Sequence, residues 1–121
     1  TIQKQDKDWA EANCNDRVGL SIKGLGLDDF SRGLVLTLDP EFKNSKTINI
    51  LFEKNKFCKK ELILNQQLHL QCRLQVVGCL VKSLNPLIVE TGKEIAARKN
   101  EPIAIIDINA KPRIIGKGTI I

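Results

Sequence analysis

From Arg17 to Lys23 the apolar residues Val18, Leu20 and Ile22 alternate with Arg17, Gly19, Ser21 and Lys23, the period-2 pattern of a strand with one buried face. Gly24 and Gly26 end that strand, Asp28 and Asp29 open a turn, and Arg32-Gly33 leads into a second short strand, Leu34-Val35-Leu36. Upstream, Thr1 to Gln5 reads as the tail of a strand. Asp6 to Asn15 is polar and reads as a loop in which Trp9 covers the end of a barrel. Thr37 to Lys46 carries Pro40, Asn44 and Ser45 among charges, the composition of a linker. It divides the chain into residues 1–38 and 39–121.

The second part holds the stronger pattern. Ile48, Ile50 and Phe52 share one parity within Thr47 to Lys54. Leu68, Leu70, Cys72, Leu74 and Val76 then share a face opposite His69, Gln71, Arg73 and Gln75. That alternation is longer than an ordinary strand, so a bend or hairpin falls within it. Gly78 marks an interruption, Asn85-Pro86 a turn, and Leu87-Ile88-Val89 the start of a further strand. The last two strands are Ile103 to Ile108 and Ile114 to Ile121, joined by the turn Asn109-Ala110-Lys111-Pro112. Many short strands, polar turns and no helical periodicity predict an all-β barrel or sandwich.

Composition narrows this picture a little. The chain has 121 residues, 42% of them hydrophobic, enough for one core or two small ones. No apolar run reaches the ~18 residues of a membrane span, and the mixed-charge N-terminus is unlike a signal peptide. The expected location is the cytoplasm, with no membrane partner. The absence of methionine suggests that Thr1 is a cut boundary and the chain a fragment. Lysines and arginines exceed acids, 19 to 14, which favours an anionic partner. With one Trp, four Phe and no Tyr there is little to stack unpaired bases, so duplex RNA read through its backbone fits better.

Candidate chemistry is sparse. A phosphate loop needs G-x-x-x-x-G-K-[ST], and neither Lys23-Gly24-Leu25-Gly26 nor Gly116-Lys117-Gly118-Thr119 has that spacing. Both read as turn or barrel-closing glycines. His69 and Cys72 form an H-x-x-C pair, but on a strand residues three apart face opposite ways, so no metal site and no cofactor are expected. Cys14, Cys58, Cys72 and Cys79 lack C-x-x-C pairing and read as reduced thiols. The lone histidine has no serine or cysteine placed for it to activate, and the acidic pairs Asp28-Asp29 and Glu90-Glu94 read as solvated, so no catalytic residue is expected. Lys93, Arg98, Lys99, Lys111, Arg113 and Lys117 make a basic run, equally well read as an RNA-binding face or a solvated one.

Several segments resemble a known family. N-D-R-V-G-L, I-K-G, the acidic pair and R-G-L-V-L (Asn15 to Leu36) are similar to the end of the second domain of translation GTPases related to elongation factor Tu. Ile2-Gln3 is closer to the selenocysteine-specific branch, SelB and its archaeal relatives. V-E-T-G-K-E-I-A-A-R-K-N (Val89 to Asn100), I-A-I-I (Ile103 to Ile106) and R-I-I-G-K-G-T-I (Arg113 to Ile120) resemble the end of the third domain, and Gln75-Val76-Val77-Gly78 its interior.

The resemblance implies a Greek-key barrel of the elongation factor Tu domain III type over residues 39–121, preceded at 1–38 by the C-terminal strands of a domain II type barrel. It implies a part in aminoacyl-tRNA binding during protein synthesis, with the ribosome and the parent's own GTPase domain as further partners. GTP and Mg²⁺ would belong to that upstream domain, which precedes the residues here, so the chain itself is expected not to be an enzyme. In the family a lysine matched by Lys93 and a turn matched by Asn109, Ala110 and Lys111 contact the T-stem backbone. Here Ala110 or Asn109 stands where glycine is usual, which weakens the expectation of close backbone contact at that turn. The aminoacyl pocket lies mostly in residues this chain lacks, so no amino-acid specificity follows. The gamma subunit of initiation factor two, whose third domain also ends in R-x-I-G-x-G, and a stand-alone protein-interaction barrel are the alternatives. Sequence upstream of Thr1 would separate them.

Overall fold

Leu68, Leu70 and Cys72 turn into one core together with Ile48 and Ile50, and that shared parity rolls the larger part of the chain into a barrel. The computed structural model describes all residues, Thr1–Ile121, in two units, Thr1–Ser31 and Arg32–Ile121. The division falls several residues before the boundary expected from the linker composition, because Arg32 to Leu38 makes its contacts within the second unit.

The barrel strands are β4 (Lys43–Lys54), β5 (Gln67–Cys72), β6 (Gln75–Leu84), β7 (Leu87–Ala97), β8 (Pro102–Ile106) and β9 (Ile114–Ile120). They close in the order β4-β7-β6-β5-β8-β9, antiparallel throughout. Hairpins join β5, β6 and β7, and β4 lies beside β7, which is the Greek-key arrangement. Inward residues from every strand, including Val81, Val89, Ile95, Ile105 and Ile115, fill the interior. Burial of such side chains contributes about 1.5–3 kcal/mol apiece.

Closure depends on two glycines of β9. A Cβ at Gly116 would lie 2.3 Å from the Phe52 ring, and one at Gly118 2.5 Å from Ile50 Cγ2 and 2.8 Å from the Leu51 carbonyl oxygen. Only a bare backbone lets β9 lie against β4, so the G-K-G run is a closing element. Next to it, the segment entering the barrel is held by charge. Glu101 is buried and accepts bonds from Arg73 (Nη2 to Oε1, 2.8 Å; Nε to Oε2, 3.2 Å) and from Arg98 Nε at 3.3 Å. Arg98 also pairs with Asp39 at 2.6 Å, and the Phe42 ring lies 5.2 and 5.3 Å from the Arg73 and Arg98 guanidinium carbons. Arg98 is therefore not a free surface charge.

Four expectations change in this second unit. The linker is shorter, because Lys43 already pairs with Ala97 and β4 begins there. The run Leu68 to Val76 holds the hairpin its length called for and so does not keep one face: Arg73, at φ 56, and Leu74 form the turn between paired Cys72 and Gln75. That turn reverses the chain, and Leu74 and Val76 point outward, 65% and 55% exposed. Gly78 does not interrupt β6 but pairs in register with His69. Leu34-Val35-Leu36 is irregular, with no strand opposite to pair it.

In the first unit, β1 (Ile2–Lys4) lies between β2 (Lys7–Trp9) and β3 (Gly19–Leu20), followed by one 3-10 turn, Leu27–Asp29. Part of the expected loop is thus a strand, and the strand expected over Arg17 to Lys23 shrinks to two residues. No side chain of this unit is buried, so nothing enforces the alternation of Val18, Leu20 and Ile22. Trp9 covers no barrel end within it. The residue is 52% exposed, with Lys4 Nζ 4.7 Å from its ring centroid.

Candidate functional site

Lys93 owes its position to a bulge. Ser45 pairs with Ile95 and Thr47 with Glu90, so Thr91 to Glu94 stand against Lys46 alone. Extra residues in one strand bend it outward and re-aim side chains. Thr91 stays buried and its hydroxyl donates to the Lys93 carbonyl at 2.7 Å, with the Lys46 carbonyl 3.2 Å away as the other acceptor. Thr91 thereby fixes the backbone of the bulge while Gly92, Lys93 and Glu94 are exposed.

Across the wall from this bulge runs a row of outward positions. Cys79 pairs with Thr91, which sets Gly78 beside Gly92 at the next step of the ladder. Gly78 pairs with His69, and His69 with Ile106. Their neighbours Leu68, Leu70, Cys79, Thr91 and Ile105 are buried, so the row Gly92-Gly78-His69-Ile106 faces out. Three inter-strand steps of about 4.8 Å separate its ends, roughly 14 Å of wall. A groove of about 600 Å³ lies over the Gly92, Gly78 and His69 part of it, with Gln67, Leu80 and Glu90 along one side and Val76 and Lys93 near the other.

At the far end of the row, Ile106 leads into the β8–β9 connection. Asp107 organises it: its amide donates to the Arg113 carbonyl at 2.8 Å, its carbonyl accepts from Ala110 at 3.1 Å, and its carboxylate accepts from the Asn109 amide at 2.9 Å. Asn109 and Lys111 are exposed by this turn, whereas Ala110 is 6% exposed and packs into the core. Ala110 can offer a ligand only its backbone, and its amide is already engaged. The ladder thus leads from the bulge that carries Lys93 across β6 and β5 to Ile106, which enters the turn that exposes Asn109 and Lys111.

Of the basic run, Arg98 is bound to Asp39 and Glu101, and Lys117 pairs with Glu53 at 3.6 Å. Lys93, Lys99, Lys111 and Arg113 are exposed and not engaged in an ion pair. His69 faces out and Cys72 in, so the H-x-x-C pair diverges as its parity requires. Cys58, Cys72 and Cys79 are buried and Cys14 is exposed, all as free thiols. Burial pushes the Cys79 thiol up to about 11. Sequence reasoning passed over Gly78, Gly92 and His69 as surface features. The available signal was two glycines inside the strand-forming runs V-V-G-C-L-V and V-E-T-G-K-E.

No family model matches the chain. It is 35% identical over 120 residues to an uncharacterized protein of Methanocaldococcus jannaschii, covering 98% of this chain and 39% of that protein. Among solved structures it is similar to the apo form of translation elongation factor SelB from Methanococcus maripaludis, with TM-score 0.78 and 21% identity over 98% of this chain and 32% of the other. The chain thus spans about two fifths of the curated relative and a third of the structural one. What this likeness shows is a shared all-β fold of the type found in SelB.

Proposed function

We propose that this chain is the C-terminal barrel region of a translation factor of the SelB or elongation factor Tu kind, and that it contributes to holding the duplex backbone of an aminoacyl-tRNA. The observation that carries this reading is Lys93, exposed and free of any ion pair on its bulge beside the groove over Gly92, Gly78 and His69, with Asn109 and Lys111 exposed at the β8–β9 turn. The fold shared with SelB supports it, and so does the net charge of +5. The open three-stranded sheet of Thr1–Ser31, with no buried side chain, fits part of a second barrel. GTP hydrolysis, Mg²⁺ and ribosome contact would belong to other parts of the parent protein, and the setting would be the cytoplasm. The chain's own chemistry is electrostatic: exposed ammonium groups replace counterions along the phosphates.

Anisotropy of labelled, folded tRNA across a salt series tests this. Binding should fall steeply with salt, and Lys93→Ala should lower the slope of log K against log salt by about 0.7–0.9, the value for one phosphate contact. Lys23→Ala, in the first unit, is the charge-matched control and should change little. Equal effects of the two would leave only generic attraction. A protein-interaction role is the second reading, favoured by the exposed Phe57, Ile63 and Leu64 of the β4–β5 connection. It gains if tRNA fails to bind at low salt.

A further inference from the structure

Closure of the barrel leaves one length of strand paired on a single side. β9 meets β4 only from Ile50 to Lys54, with one further bond from the Ile121 amide to the Asn49 carbonyl at 3.0 Å. From Lys43 to Ile48, β4 has β7 on one side and no strand on the other. Main-chain groups alternate in direction along a strand, so Thr47, two residues before Asn49, turns its amide and carbonyl to that same open side. Both are met there by one side chain. The Ser45 hydroxyl accepts from the Thr47 amide at 3.2 Å and donates to the Thr47 carbonyl at 2.9 Å. A single hydroxyl thus takes the place of a neighbouring strand and blunts an edge that could otherwise pair.

A groove of about 350 Å³ lies along this open side, floored by buried Ile48, Ile95 and Ile120. Lys43 and Lys99 stand at its rim, exposed and outside any ion pair, against one exposed acid, Glu41. Main-chain groups at strand spacing, an apolar slot beneath them and cations above are satisfied together by an extended polypeptide.

We infer that the Lys43–Ile48 edge of β4 is a strand-addition site for an extended segment of a partner protein, one whose apolar side chains alternate with acidic ones. This goes beyond the RNA-binding reading and is independent of it. The added strand lies antiparallel to β4. Its residue opposite Thr47 exchanges both main-chain bonds with it and displaces the Ser45 hydroxyl. The next residue, opposite Ile48, shares the inward face of Ile48 and sets an aliphatic side chain into the groove. Side chains of the other parity face solvent, where acidic ones complement Lys43 and Lys99.

The test is anisotropy of a labelled, end-capped peptide of about six residues alternating valine and glutamate. The parent chain should bind it saturably, and a version with lysine in place of glutamate more weakly. In the inferred register the glutamate amides face β4 and the valine amides face away. N-methylation of the glutamate amides should therefore weaken binding about tenfold or more, while N-methylation of the valine amides should change it little. Ser45→Ala should bind the unmodified peptide about fivefold more tightly, because no hydroxyl then competes for Thr47. Amide exchange at Thr47 should slow when the peptide is added. If methylated glutamates are tolerated as well as methylated valines, the inference is overturned, and that comparison needs no variant of the chain. Absence of saturable binding overturns it too. If Ser45→Ala dimerises in sedimentation and ignores the peptide, the edge belongs to a second copy and the partner reading falls.

Discussion

Single residues differ in what they owe to the fold, and the glycines show it most clearly. Gly118→Ala should destabilise the barrel by at least about 2 kcal/mol, an overpacking cost, since its methyl meets Ile50 and the Leu51 carbonyl at the closing seam. Urea unfolding checks this, with Gly78→Ala as the neutral reference. Glu101 is the residue that ties stability to pH. Hydrogen bonds from Arg73, with the positive charge of Arg73 and Arg98, hold its carboxyl below the usual range. A carboxylate with a depressed folded value contributes fully above its unfolded pKa of about 4.3 and loses that contribution as pH falls through the folded value. Glu101→Gln should therefore cost about 1.5–3 kcal/mol at pH 7, the range for charge-assisted bonds. The difference from the parent should shrink progressively below about pH 4. A constant difference from pH 7 to pH 3 would assign the effect to packing. The cysteines divide by burial: iodoacetamide should label Cys14 alone in the native protein and all four after unfolding, as mass spectrometry would show.

At the scale of elements, strands were legible where a core enforces their alternation. Ile48, Ile50 and Phe52 in β4 and Leu68, Leu70 and Cys72 in β5 face inward as their parity predicts. Past Cys72 the length of the run called for a bend or hairpin, and a two-residue turn supplies it without breaking the apolar count, so Leu74 and Val76 read as core yet face solvent. In Thr1–Ser31 no core exists to select one face, and alternation there carried little information. The bulge at Thr91–Glu94 could not be seen in the sequence at all, because it depends on the register between β4 and β7. Its stability rests on the Thr91 hydroxyl. Thr91→Val keeps the size but removes that donor, and should cost about 1–2 kcal/mol, the typical loss for a buried hydrogen bond. It should also weaken RNA binding through Lys93 without touching Lys93 itself. Retention of the full Lys93 effect on the salt slope in a Thr91→Val background would show that the hydroxyl does not position the lysine.

Across the whole molecule, the barrel wall joins residues that the chain keeps apart. Lys93 and Lys111 belong to different hairpins, and the ladder Gly92-Gly78-His69-Ile106 runs across four strands from the bulge of one towards the turn of the other. The sequence could name both lysines but not the ladder that runs between their hairpins, nor reveal that Ala110 turns inward between Asn109 and Lys111. The guanine-nucleotide question also belongs at this scale. Neither glycine-lysine run has phosphate-loop spacing, and Gly116-Lys117-Gly118 is occupied in closing β9 against β4. Calorimetric titration of this chain with GTP and Mg²⁺ is expected to give no saturable heat, and micromolar binding would contradict that.

The face itself is tested most directly by amide chemical-shift mapping with a stem-loop RNA titrated into the isotope-labelled chain. The largest perturbations should fall on Gly78, Gly92 and Lys93 and on Asp107 to Lys111, with the β4–β9 seam around Leu51 and Gly118 unchanged. Perturbations centred on that seam, or none at low salt, would contradict the account.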